Sequence, residues 1–374
     1  MGTIRLISAV DALQEISAAW DQLHGSHLMR SSAFQFSWMK HFAPKNALRV
    51  LVHEEANQIT GILPLIEERR VWTGRTLTNA GSGKACFDDL GILAEPWHAV
   101  SVAKAFAAYL IDSPDLVWDY LDLDGIRPEN SAMQVFAAEF ERHSEGSVDR
   151  RDGPSCWALD LAADADGYHV WPKRLRGMMR KSRTERETGL FEVNVPSTLE
   201  QALSELDVIK AMHQSRWESR GIDGCFSNPS FSKLVSDLII ENWPRAGSTI
   251  AVLRWDGIPA AGTICFHDAS TWYVYVASMA PEFAERKPGW KLNGFLADLA
   301  ILKGCTRMDF MRGDEIYKQR LGAKPSCQQR WLISSHKLRG RLQRVLYRTA
   351  REIKHYITLP TPAPVVPELE SSAR

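Results

Sequence analysis

The sequence predicts an α/β (α+β) fold made of two tandem units, each with a mixed central sheet. Three observations carry that prediction. The chain has 374 residues, which suits two domains of about 150 to 190 residues each. Stretches with a 3.6-residue apolar period alternate with short apolar, β-rich runs. The two halves also repeat one order of elements: helix, strand hairpin, helix, strand, helix.

The elements follow in chain order. Val10, Leu13, Ile16, Ala19 and Trp20 share one face of a predicted helix over 10–23. The runs 48–55 and 60–68 are apolar and flank Ala56-Asn57-Gln58, a hairpin pattern. A helix over 99–111, a strand over 116–123 and a helix over 130–142 complete the first unit, assigned to 1–150. The polar, Gly- and Pro-bearing stretch 144–155 reads as a linker. The second unit, 151–335, opens with a strand at 156–161 and a helix over 171–188. Leu199, Leu203, Leu206, Ile209 and Met212 then mark an amphipathic helix running to about Arg220. A helix over 229–243, strands at 248–255, 260–267 and 271–279, a helix over 290–303 and a strand at 306–311 follow. Residues 336–374 hold a basic amphipathic stretch and a tail with Pro360, Pro362, Pro364 and Pro367, expected to be disordered.

Composition narrows the function classes. Lys plus Arg equals Asp plus Glu at 45 each, so the formal net charge is zero; this speaks against a globally basic DNA binder. Hydrophobic residues make up 45% of the chain, enough for real cores. The six cysteines (86, 156, 225, 265, 305, 327) lack a C-x-x-C pair. Neither a disulfide framework nor a metal site is expected, and a reducing cytoplasm fits. No run is long enough to span a bilayer.

Two short segments could carry chemistry. Arg286-Lys287-Pro288-Gly289-Trp290-Lys291 is basic and stands at a helix start, where free backbone N–H groups and the helix dipole favour a pyrophosphate. The plainer reading is a turn made by Pro288 and Gly289. Residues 308–318 (MDFMRGDEIYK) crowd Asp309, Arg312, Asp314, Glu315, Tyr317 and Lys318 at a strand end, where α/β sheets place ligands. Asp314 is positioned to cap the next helix. A salt-bridged capping cluster would give the same pattern.

The signature D-F-x-x-G-D-E-x-Y-K at 309–318 resembles the GNAT-type acetyltransferases, in particular the CelD-type group of cellulose and exopolysaccharide synthesis. These are similar to the tandem-GNAT FemABX proteins. Phe34–Trp38, the basic helix Lys173–Gly189 and His213–Arg220 are similar to further family segments. The resemblance covers roughly 10–335. It implies two tandem GNAT-like domains and acyl transfer from acyl-CoA, acetyl-CoA above all, to an amine or hydroxyl. It also implies that strands 271–279 and 306–311 splay apart around the pantetheine. The donor would then touch Ser278, Arg286, Lys287, Gly289, Trp290 and Lys291. The family's Q/R-x-x-G-x-G/A loop is altered here, with one Gly and a bulky Trp290. Tyr317 corresponds to the general acid for the leaving thiolate. Asp309 is a candidate general base, and Lys318 a candidate grip on an acceptor phosphate or carboxylate.

Arg180, Arg216, Trp217, Arg312 and Asp314 are the candidate acceptor contacts; Trp217 and His213 also read as packed residues. The cations of 171–188 suit an anionic substrate such as a sugar nucleotide, a lipid phosphate or aminoacyl-tRNA, or a solvated face. The stretch 335–357 either packs on the domain or makes weak contact with an anionic membrane surface from the cytoplasmic side. The expected partner is a small-molecule or polysaccharide-precursor acceptor. Two alternatives stand beside acyl-CoA transfer: a Fem-like transferase fed by aminoacyl-tRNA, and a non-catalytic partner in a polysaccharide-synthesis assembly.

Overall fold

The structure is a computed structural model that describes residues 2–25, 27–144, 147–161, 173–243 and 247–335. The predicted tail and basic stretch beyond 335, and the start of the 171–188 helix, lie outside the described residues.

The first half contains β1 (Thr3–Ile7), α1 (Ser17–Leu23), α2 (Ser32–Phe42), β2 (Val50–Glu55), β3 (Gln58–Leu63), β4 (Leu65–Arg70), β5 (Gly74–Asn79), β6 (Leu93–Ala94), α3 (Ala99–Asp112), β7 (Tyr120–Ile126), α4 (Ser131–His143) and β8 (Val148–Asp152). The second contains β9 (Cys156–Asp160), α5 (Lys173–Glu187), β10 (Glu192–Asn194), α6 (Leu199–Glu218), α7 (Pro229–Asn242), β11 (Ser248–Trp255), β12 (Ile258–His267), β13 (Thr271–Met279), α8 (Pro288–Leu302), β14 (Arg307–Arg312), α9 (Ile316–Leu321), β15 (Lys324–Ser326) and β16 (Gln329–Ser334).

Three sheets result, in the orders β1-β2-β3-β6, β4-β5-β7-β16-β8 and β10-β11-β12-β13-β14-β9-β15. The mixed α/β class holds. Pro64 separates β3 from β4, which belong to different sheets, so the single strand expected over 60–68 is two. The stretch 144–155, expected as a linker, contains β8; its charged sequence VDRRD suits an edge strand that exposes side chains.

One strand of the second half, β16, crosses to the first half's sheet. β9 follows β8 in the chain but lies between β14 and β15, whereas β16 lies between β7 and β8. Ser334 and Ile333 of β16 pair with Tyr120 and Leu121 of β7. The second half therefore completes the first half's sheet, while the seven-stranded sheet is built from second-half strands alone. A shared core reinforces this link: Trp20 and Phe34 belong to one apolar cluster with Leu234, Phe266 and Tyr273. The Phe34 and Phe266 rings meet edge to face at 5.0 Å. Separate cores fill the remaining faces, around Phe106 and Phe136 in the first half and around Trp272 and Leu296 in the second.

Candidate active site

In the second half, β11, β12 and β13 form an antiparallel meander, and α8 crosses over to β14, which pairs with β13 in parallel. That parallel register has three steps: Thr271 with Arg307, Trp272 with Met308, and Tyr273 with Asp309. β13 then runs on to Met279 and β14 to Arg312 without pairing with each other. The two strands part beyond Tyr273 and Asp309, where the resemblance places an opening between 271–279 and 306–311. β13 also bulges at Tyr275, which falls between the steps Ile264–Val276 and Cys265–Val274. A bulge re-aims backbone groups beside a site.

Tyr317 begins α9 just past β14. Its ring packs edge to face on Phe310 at 6.2 Å. Burial, with the Glu315 carboxylate, pushes its phenol well above the ordinary range, while Arg216 pulls it down. It is therefore a protonated donor at neutral pH. Arg216 comes from the opposite side, on α6. Burial and neighbouring Arg220 depress its guanidinium, and its Nε has no partner among the described residues. Ser278 lies on the part of β13 that no longer pairs with β14, buried, and its hydroxyl likewise has no partner among the described residues. Tyr317, Arg216 and Ser278 are thus the sequence-predicted residues whose polar groups remain available near the opening.

Several of the other expected residues are committed elsewhere. Asp309 is 3% exposed. Its carboxylate accepts from the Met311 N–H at 2.8 Å and from Arg307 at 3.1 Å. Strand alternation places Asp309 on the face of β14 opposite Phe310 and hence opposite Tyr317, so it braces the turn at Met311, whose φ is +57°. Lys318 is 2% exposed. Its ammonium donates to the carbonyls of Met311, Arg312 and Gly313 at 3.0–3.1 Å and pairs with Glu315 at 2.9 Å. An ammonium has three protons, so none remains for an acceptor anion, and the grip expected of Lys318 is replaced by a structural one. Asp314 does not cap α9; it accepts from Trp157 Nε1 at 3.0 Å. Trp217 donates to His213 Nε2 at 3.0 Å. Burial depresses His213 to about 4, and Cys225 beside it is pushed up to about 12; the pair is neutral and is not a nucleophile–base couple.

Arg312 leaves the opening altogether. It crosses to the first half, where its Nε meets Asp88 at 2.6 Å and its Nη1 meets Asp124 at 2.9 Å. Burial weighs on the guanidinium, but the two carboxylates raise it overall. Sequence reasoning missed Asp88 and Asp124, which stand about two hundred residues upstream with no local motif.

The expected anion loop is only partly built. Pro288 has no N–H, and the N–H groups of Lys287, Trp290 and Lys291 are spent on backbone carbonyls. Lys291 pairs with Glu185 and lies over the Phe191 and Trp255 rings. Arg286 stacks on Trp255 and Phe283. Gly289 and the exposed Lys287 remain, at the start of a 15-residue helix. An added Cβ at Gly289 would meet nothing within 4 Å. Trp290 is half-buried against the α8 core, and Arg180 is an exposed residue of α5. Among the described residues no group of His, Cys, Asp or Glu could hold a metal ion.

Comparison with known proteins fits this geometry. Residues 172–319 match the acetyltransferase (GNAT) domain family. No curated protein matches the sequence. Among solved structures, FemX superposes with a TM-score of 0.62 at 10% identity, over 92% of this chain and 99% of its own. The C-terminal domain of a putative lysylphosphatidylglycerol synthetase from Agrobacterium fabrum gives 0.53 at 10% identity, over 91% and 97%. L-PGS from Bacillus licheniformis gives 0.52 at 12% identity, over 91% and 96%. At such identities the likeness concerns the fold alone. The match to residues 172–319 spans the α5–α9 region that holds β13, β14 and Tyr317, and this acetyltransferase (GNAT) domain supports an N-acyltransferase.

Proposed function

We propose that the protein transfers an acyl group, acetyl being the simplest, from acyl-CoA to an amine or hydroxyl of a sugar-type or cell-envelope polysaccharide precursor. The observation that carries this reading is the parting of β13 and β14 after Tyr273 and Asp309, with protonated Tyr317 beside the opening. The unpaired β13 edge suits an amide-bearing pantetheine arm, and Gly289 with Lys287 would meet its phosphates. The thioester supplies the activated acyl carbon. The acceptor nitrogen or oxygen bonds to that carbon as the C–S bond breaks, and Tyr317 gives its proton to the departing sulfur. Water in the opening takes the proton lost by the acceptor and returns one to Tyr317. Backbone N–H groups at the Tyr275 bulge are the candidate oxyanion donors.

The acceptor class rests on the resemblance of 309–318 to CelD-type proteins. The altered α8 loop gives a second reading some weight: with few free N–H groups for a pyrophosphate, a Fem-like aminoacyl-tRNA donor is the alternative. An assay of free thiol release from acetyl-CoA against a panel of amino sugars and sugar nucleotides tests the first reading. Acceptor-dependent thiol release supports it. Transfer from charged tRNA without thiol release would replace it.

A further inference from the structure

We infer that Arg216 is the grip for an anionic group on the acceptor, so that the acceptor carries a phosphate or carboxylate beside the amine or hydroxyl that is acylated. The inference rests on the acyl-transfer reading above. The first observation is where α6 lies. It packs across β11, β12 and β13, and its Ile209 sits so close to Gly262 of β12 that a Cβ there would stand 2.6 Å from Ile209 Cγ1. Gly262 pairs with Ser278, on the part of β13 that no longer pairs with β14. Arg216 follows Ile209 by about two helical turns and so shares its face. The buried stripe of Leu206, Ile209, Met212 and His213 thus ends in a guanidinium.

That guanidinium is unspent. Arg216 is half-buried, yet among the described residues its side chain makes no hydrogen bond or ion pair. Other part-buried arginines of the second half are paired: Arg254 with Glu205, and Arg312 with Asp88. Arg220, just past α6, adds a like charge and lies over the Trp217 ring at 5.5 Å. The acidic groups close enough to act on Arg216 are Tyr317 and Glu315, and Glu315 is already paired with Lys318 at 2.9 Å. Arg216 therefore stands at the reacting end of the site, beside the proton donor. An acyl-CoA brings no charge there: its thioester and pantetheine arm are neutral, and its phosphates lie at the other end of the arm, toward α8. The anion that satisfies Arg216 comes with the acceptor. A guanidinium meets a phosphate or carboxylate with two parallel hydrogen bonds, and partial burial strengthens the pair.

The test compares glucosamine, glucosamine 1-phosphate and glucosaminuronic acid as acceptors. Each is assayed by thiol release from acetyl-CoA and by calorimetric titration of the full chain. The parent is expected to favour a charged sugar over glucosamine by at least about ten-fold in kcat/KM. The two charged sugars tell phosphate from carboxylate. Arg216→Gln should abolish the preference through KM, and Arg216→Lys should restore part of it. A cation in the last turn of a helix can also be purely structural. That role predicts a lower melting temperature for Arg216→Gln with the preference kept, and this result would overturn the inference. Equal use of neutral and charged sugars by the parent would overturn it too. If no sugar releases thiol, the titration decides. Binding of a charged sugar that is lost in Arg216→Gln upholds the anion grip while the acyl-CoA reading falls. Binding that is absent, or untouched by the substitution, removes the inference.

Discussion

Arg312, at the end of β14 in the second half, holds Asp88 of the first half by Nε at 2.6 Å and by its own backbone N–H at 3.2 Å. Asp88 is buried, and burial raises its carboxyl even against this partner. Phe87 and Asp124 complete the cradle, and Gly125 leaves room for the guanidinium, with a would-be Cβ only 3.0 Å from Nη2. The end of β14, where it has parted from β13, is thereby fastened to the other half.

Arg312→Met should therefore cost roughly 3–5 kcal/mol, because it leaves a buried carboxylate unpaired. Pairing it with Asp88→Asn should recover part of that loss. Arg312→Lys should rescue little, since an ammonium cannot span both carboxylates. Urea unfolding of the single and double variants measures the coupling. Additive effects would show that the two side chains do not act together.

Tyr317→Phe should lower kcat by about 10²-fold or more with little change in KM, if its proton goes to the leaving sulfur. The Phe ring keeps the contact with Phe310, so the melting temperature should hold. Steady-state rates with acetyl-CoA and a thioester bearing a more acidic thiol provide the check. The defect should shrink with the better leaving group.

Lys318→Met should act on stability. It strands the carbonyls of Met311, Arg312 and Gly313, a loss of roughly 3 kcal/mol. Its activity at low temperature, corrected for the folded fraction, should stay near the parent's. A kcat deficit in fully folded protein would return Lys318 to the chemistry.

His27 sits at the seam between the halves, its ring edge to face with Tyr273 at 5.2 Å. Burial depresses it to about 3, against the opposing pull of Asp309. The unfolded chain binds this proton below about 6.5 and the folded chain does not until about 3. Stability therefore falls as pH drops through that window, by up to about 1.4 kcal/mol per pH unit for this group. His27→Gln should flatten that part of the stability–pH curve. An unchanged slope would show that the imidazole is protonated in the folded state.

Much of the second half was legible in the sequence because its strands follow one another as hairpins. Ser248–Trp255, Ile258–His267 and Thr271–Met279 fall close to their predicted runs, as do α6, α7 and α8. What local pattern could not carry was the place of β9 between β14 and β15 and the crossing of β16 to the first half's sheet, since a strand's sheet partner is set by tertiary pairing. β8 hid behind the charged sequence VDRRD, and β5 behind a Thr-rich run with no apolar alternation. The dense cluster at 308–318 was visible as a cluster, but its division of labour was not. Tyr317 stands by the opening, whereas Arg312 and Lys318 turn to Asp88 and to backbone carbonyls, partners that spacing does not reveal.

The most direct measurement is calorimetric titration of the full chain with acetyl-CoA, beside the variant Gly289→Glu. Gly289 faces open space, so the added carboxylate changes charge at the α8 start without crowding the fold. Saturable binding by the parent, weakened at least ten-fold in the variant, is the result expected if the β13–β14 opening holds an acyl-CoA donor. Absence of binding by the parent, or equal binding by both, would contradict that placement of the donor.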